Sequence, residues 1–175
     1  MLLKQIGITP DRIVSPDIDE TPNRDESPRL YAVRMARGKA QAVTFPGHLV
    51  LAADTVVAAG RRILPKAETA ADARACMEML SGRRHRVLTG VALAAPDGSV
   101  RERLVESTVT FNRLTEEQIE RYVATGESIG KSGGYAINGY AASFIRFLSG
   151  SQSGVVGLPL FETAQLLRGF GWQVP

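Results

Sequence analysis

The stretch Arg86-Val-Leu-Thr-Gly-Val-Ala-Leu-Ala94, continued by Ala95-Pro-Asp-Gly98 and then by Val105-Glu-Ser-Thr-Val-Thr-Phe111, decides the class of fold. Its first part is a long apolar run, and its last part alternates, with Val105, Ser107, Val109 and Phe111 on one side; both are strand patterns. Pro-Asp-Gly between them is turn chemistry, so the two strands should fold back on each other as an antiparallel hairpin. Outward from this hairpin, residues 49–53 (Leu-Val-Leu-Ala-Ala) and 144–148 read as further strands. Helical periodicity covers residues 27–44, 69–80, 115–124 and 159–168. Ser27 before Pro28 has the form of an N-cap with proline in the first turn, and Thr69…Asp72 and Thr115…Gln118 have capping-box spacing. This order predicts one α/β domain over residues 1–175 with a mixed rather than purely parallel sheet.

Bulk composition agrees. The chain has 175 residues, 44% hydrophobic and 22% charged, enough apolar material for one sizeable core. No apolar run approaches the roughly 20 residues that span a bilayer, and the start lacks a signal pattern, so a cytoplasmic protein without a membrane partner is expected. The single cysteine, Cys76, falls on the apolar stripe of a predicted helix and should be an inert buried thiol. A net charge of +3 suits an anionic small molecule or a nucleic acid. The arginines are scattered, with no helix-turn-helix, zinc-finger or aromatic RNA-binding pattern, which argues against nucleic acid as partner. Residues 125–139 form the one long irregular stretch, and loops of that length usually carry function.

Candidate chemistry concentrates at a few positions. Asp54 and Thr55 follow the strand at residues 49–53, at the carboxyl end where α/β sheets open a ligand crevice. By itself Asp54 serves equally as a turn cap, an ion-pair partner or a catalytic acid. Asp19 and Glu20 precede the first long helix, and carboxylates from two separated segments could together hold a hard divalent ion. Lys39, Lys66 and Lys131 are available cations. Lys131-Ser-Gly-Gly134 combines a point charge with backbone amides free of bulky side chains, a pairing that can lie against phosphate oxygens, although the GxxxxGK[ST] spacing of a Walker loop is missing. His48 and His85 belong to no hydrolase triad or zinc-binding helix. Tyr135, Tyr140, Phe144 and Phe147 serve either as core or as a stacking surface for a base.

Taken in order, Asp54-Thr-Val-Val57, Leu80-Ser-Gly-Arg-Arg-His-Arg-Val87, Gly126-Glu127, Lys131-Ser-Gly-Gly-Tyr-Ala-Ile-Asn-Gly139 and Val156-Gly-Leu-Pro-Leu160 resemble the Maf family along nearly the whole chain. The segment from Lys131 to Gly139 resembles that family's KAGxYxIQG signature. The resemblance implies the inosine-triphosphatase-like fold, an elongated mixed sheet around a central cleft, and often a homodimer. It also implies hydrolysis of nucleoside triphosphates to monophosphate and pyrophosphate with a divalent cation, Mg2+ or Mn2+, as cofactor. Family members are associated with clearance of modified or surplus nucleotides and, in some cases, with arrest of septum formation.

Carried over by position, Asp54 matches the proton acceptor; Asp19 and Asp54 are the acids expected to hold the metal. Thr55 and Asn138 match positions that tune substrate choice, and Asp19, Lys39, Lys66 and Lys131 match polar residues lining the cleft. The Asp-Thr pair resembles the subgroup acting on dTTP and UTP more than the one acting on 7-methyl-GTP. Two departures stand out. The family's opening strand and S-x-S-P-R-R loop are not matched, because residues 1–7 align with the helix that follows them, and Asn138 stands where Gln is usual. The first departure keeps open an alternative: a catalytically impaired nucleotide-binding or cell-division regulatory protein.

Overall fold

A computed structural model of the chain describes residues 2–174; Met1, where the aligned opening segment begins, and Pro175 lie outside the described residues. The elements are α1 (Pro28–Gln41), β1 (Val50–Ala59), β2 (Arg62–Leu64), α2 (Ala70–Leu80), β3 (Arg84–Ala94), β4 (Val100–Phe111), α3 (Glu116–Ala124), β5 (Ile145–Ser149), α4 (Gln152–Val156) and α5 (Leu160–Gly169). Short 3-10 turns at Leu2–Ile6 and Tyr140–Phe144 complete them.

The hairpin forms as its sequence demands. Ala94 pairs with Val100, the Ala95 amide donates to Ser99 at 2.9 Å, and Gly98 sits at φ 84°, a left-handed conformation that glycine adopts without steric cost. Caps fix the helix starts: Ser27 accepts from the Leu30 amide, and Thr69 with Asp72 and Thr115 with Gln118 close reciprocal capping boxes.

Five strands line up in the order β2-β1-β3-β4-β5, and every ladder between them is antiparallel. The expected mixed sheet is corrected to this extent. β2 and β3 do run in the same direction and are joined by α2 in the manner of a parallel crossover, but β1 lies between them and pairs with both. The parallel component is reduced to an isolated bridge between Ala67 and Ile129.

Strand alternation divides the side chains into two layers. On one face Val56, Ala58, Leu88 and Ala92 meet the small residues Ala32, Ala36 and Ala40 of α1. On the other, Val57, Val87, Val109 and Phe111 pack under α2 and α3, while Val91 and Leu93 pack under α5 and the amino-terminal Ile6 and Ile8. Cys76 is buried there as a free thiol, and burial raises its pKa. No helix among the described residues is long and apolar enough to cross a membrane.

An aromatic cluster anchors the α2 face. Phe111 lies 5.0 Å centroid to centroid from Tyr135, edge-on, and His85 contacts both rings in the same manner. The His85 Nε2 is 2.8 Å from the Tyr135 hydroxyl, and burial pulls its pKa from 6.5 down to about 4. The folded state therefore stays neutral while the unfolded chain takes up a proton below pH 6.5. Stability is full above that value, falls as the pH drops toward 4, and loses roughly 3 kcal/mol over the interval. Urea midpoints at pH 7 and pH 4.5 should show this loss in wild type and a much smaller one in His85→Gln; equal slopes for the two proteins would remove His85 as its source.

Candidate active site

Asp54 is not at a strand end, as its sequence context suggested, but in the middle of the ten-residue β1. The apolar, β-branched run Val56-Val57 carries the strand onward past the acid. An opening still exists because β2 pairs only with Val57, Ala58 and Ala59, which leaves the outer edge of β1 without a strand partner at Asp54 and Thr55. A cavity of about 500 Å³ occupies this step, lined among others by Glu20, Tyr31, Asp54, Thr55, Lys66 and Ser132.

Four charged residues meet at its wall. The Lys39 ammonium donates to Asp54 at 2.6 Å and lies 2.7 Å from Glu20, whose second oxygen is 3.0 Å from Lys66. The Asp54 and Lys39 side chains retain only 11% and 17% of their exposure, so this pair is largely out of water, while Lys66 is half exposed. Burial pushes the Asp54 carboxyl above its usual range, against the Lys39 hydrogen bond, which works to lower it. For Lys39, burial pulls downward, but the hydrogen bonds to Asp54 and Glu20 outweigh it and the ammonium is held charged. The Lys39 hydrogen bond draws Glu20 downward.

Glu20 reaches this cluster because its loop is strapped to α1. The Tyr31 hydroxyl donates to the Glu20 carbonyl at 2.7 Å, Arg34 donates to the Thr21 carbonyl, and Arg34 also grips Glu26 with two nitrogens at 2.7 and 2.8 Å. Its neighbour Asp19 turns back on its own chain, accepting from the Thr21 amide at 2.8 Å. Of the two acids in this loop, the structure thus brings Glu20 to Asp54 and leaves Asp19 exposed. Tyr31, Arg34 and Ser132 also escaped the sequence reading. The signal for the first two was the spacing of Tyr31, Arg34 and Gly38 on one stripe of α1.

Thr55 backs onto the opposite face. The Thr89 hydroxyl gives its one proton to the Gly154 carbonyl at 2.7 Å, so Thr55 donates to Thr89 at 3.0 Å, and the Thr55 carbonyl accepts from Ser132. Asn138 is exposed, its amide oxygen accepting from Gln152 at 2.8 Å. Lys131 is exposed as well, one residue from the Lys66–Ser132 bridge. Three of the four amides of Lys-Ser-Gly-Gly are not free for a ligand as expected: Lys131 donates to Ser128, Gly133 to Pro65 and Gly134 to Lys131. The glycines serve packing instead, since Gly133 has φ 66° and a Cβ there would lie 2.7 Å from Val57.

The family described as Maf-like protein matches residues 1–170. A Caulobacter vibrioides protein is 58% identical over 174 residues, covering 98% of this chain and 90% of the relative. A Rhodospirillum rubrum protein is 59% identical, covering 98% and 83%, and one from Granulibacter bethesdensis is 56% identical, covering 98% and 88%. Each of the three is named dTTP/UTP pyrophosphatase. The chain belongs to the Maf family.

In this Maf protein the cluster depends on how closely α1 approaches the sheet. Asp54 is paired across the ladder with Gly90, and a Cβ at Gly90 would overlap the Ala32 carbonyl of α1. Ala32 lies two turns before Lys39, so the glycine sets the depth at which the lysine meets Asp54. Gly90→Ala should lift the helix and cost about 1–3 kcal/mol in urea unfolding, as overpacking does. Unchanged stability would mean that α1 tolerates a looser seat than the contact implies.

Proposed function

We propose that this chain hydrolyses nucleoside triphosphates, dTTP and UTP first among them, to the nucleoside monophosphate and pyrophosphate. The observation that carries the reading is the shielded Asp54 carboxylate, set beside two ammonium groups on the wall of a cavity large enough for a small-molecule substrate. The names of the relatives support it. The same reading gives the enzyme a nucleotide rather than a nucleic acid as partner, the cytoplasm as its compartment and a homodimer as its assembly.

A triphosphate brings close to four negative charges, and Lys39, Lys66 and Lys131 are the cations that would meet them. The residues also fit a divalent cation. Oxygens of Asp54 and Glu20 converge on the single Lys39 nitrogen, so they lie close enough together to share one ion. Two carboxylates are what Mg2+ or Mn2+ commonly takes from protein when phosphate oxygens and water supply the rest. Asp54 and Glu20, rather than Asp54 and Asp19, would hold it. Bound there, such an ion supplies charge neutralisation to the phosphate oxygens.

Asp54 acts as the base. When a phosphate oxygen engages Lys39, the ammonium no longer satisfies the carboxylate, and burial favours its protonated form. Asp54 then accepts a proton from water as the oxygen attacks the α-phosphorus, a new P–O bond forms, and the bond to the β-phosphate bridging oxygen breaks. Lys66 and Lys131 hold the departing pyrophosphate.

Pyrophosphate release from dTTP and UTP with Mg2+ tests the assignment. Asp54→Asn should lower kcat by about 10²–10⁴-fold, the usual contribution of a positioned base, in a protein whose melting transition is retained. Activity within a few-fold of wild type would exclude Asp54 from the role.

A further inference from the structure

A second cavity, of about 410 Å³, lies at the other end of the β1–β3 ladder. It is bounded by the β1–β2 turn at Gly60, the end of α2 at Leu80, and the start of β3, and Arg62, Arg83, Arg84 and His85 line it. Ala58, which pairs with Arg86 there, is four residues from Asp54, about 13 Å along an extended strand. Asp54 opens toward α1, whereas His85 points into the layer under α2, so the two cavities are separate.

Charge in this cavity has one sign. Three of its lining residues are arginines, none is an acid, and no carboxylate among the described residues lies within ion-pair distance of Arg62, Arg83 or Arg84. The end of α2 contributes about half a negative charge, which one arginine would neutralise. Arg62 and Arg83 together leave a surplus, while Arg84 alternates with His85 and faces the α1 layer. Arg62 shares the parity of Leu64 on β2, so it faces the same layer as His85.

The second observation is an orphaned buried atom. His85 is 2% exposed, and its Nδ1 has no hydrogen-bond partner. The His85 Nε2 is hydrogen-bonded to the Tyr135 hydroxyl, with the imidazole tautomer setting which of the two donates.

We infer that this cavity binds a phosphate oxyanion, with Arg62 and Arg83 neutralising it beside the His85 ring. Arginine forks match phosphate oxygens, and the volume falls within the range of about 300–1,000 Å³ usual for small-molecule pockets. The anion comes either as free pyrophosphate or as the phosphate tail of a nucleotide.

The two histidines of the chain make the test local. Imidazole NMR signals of His85 and His48 are followed while full-length protein is titrated with inorganic pyrophosphate, and separately with α,β-imido-dUTP. The expected result is a saturable shift of the His85 signal with pyrophosphate. A shift with the nucleotide alone supports the site and assigns its source to a phosphate tail. Arg62→Ser and Arg83→Ser should each weaken the binding roughly tenfold or more, the effect of one charge-assisted hydrogen-bond pair. Should Arg83→Ser fail to fold, Arg62→Ser on the exposed edge strand decides. A His85 signal unmoved by either ligand, or a shift of undiminished affinity in the Arg62→Ser protein, overturns the inference.

Discussion

The ammonium of Lys39, held between Asp54 and Glu20, is the interaction on which this molecule turns. A lysine so nearly out of water must be neutralised, and so must the aspartate beside it. Removing either partner would strand a charge, whereas keeping both leaves a polar cluster inside the wall of an otherwise apolar sheet. The surrounding structure bends to that requirement. Gly90 lets α1 come down onto β3, Tyr31 and Arg34 tie the loop carrying Glu20 to the same helix, and Lys66 closes the far side of Glu20.

This explains how much of the architecture could be read beforehand. The hairpin, the four principal helices and their caps are local: each depends on residues within a few positions of one another, and each formed within a few residues of its predicted bounds. The sheet's pairing is not local. Nothing near β2 says that three residues after a turn will pair back on β1, yet that short pairing is what places β1 between β2 and β3 and makes every ladder antiparallel. α4 is similarly invisible, a five-residue helix built around Gly154 and capped by Ser151.

The site divides along the same line. Asp54, Lys39 and Lys66 were legible as residues and meet in space. Which of the two adjacent acids joins them was not, because the choice between Asp19 and Glu20 rests on contacts made by α1, a separate element. The glycines of the 131–134 segment misled for a physical reason. Glycine marks close backbone approach without saying what approaches, and here it is Val57 and Cys76 rather than a ligand. Their amides are spent on the turn itself and on Pro65.

That last contact shows why β2 is as short as it is. Pro65 has no N–H to donate, so the ladder with β1 stops at Leu64, and the Pro65 carbonyl is taken up by Gly133 instead. Stopping there leaves β1 unpaired at Thr55 and Asp54, and the released chain carries Lys66 to Glu20 and pairs it with Ser132, whose hydroxyl caps the Thr55 carbonyl. Had β2 run three residues further, the β1 carbonyls would have been satisfied by a strand, the step in the sheet would have been filled, and Asp54 would have been sealed against a neighbour. An acid in the middle of a strand is tolerable here because a proline two residues after Ile63 keeps the edge open beside it.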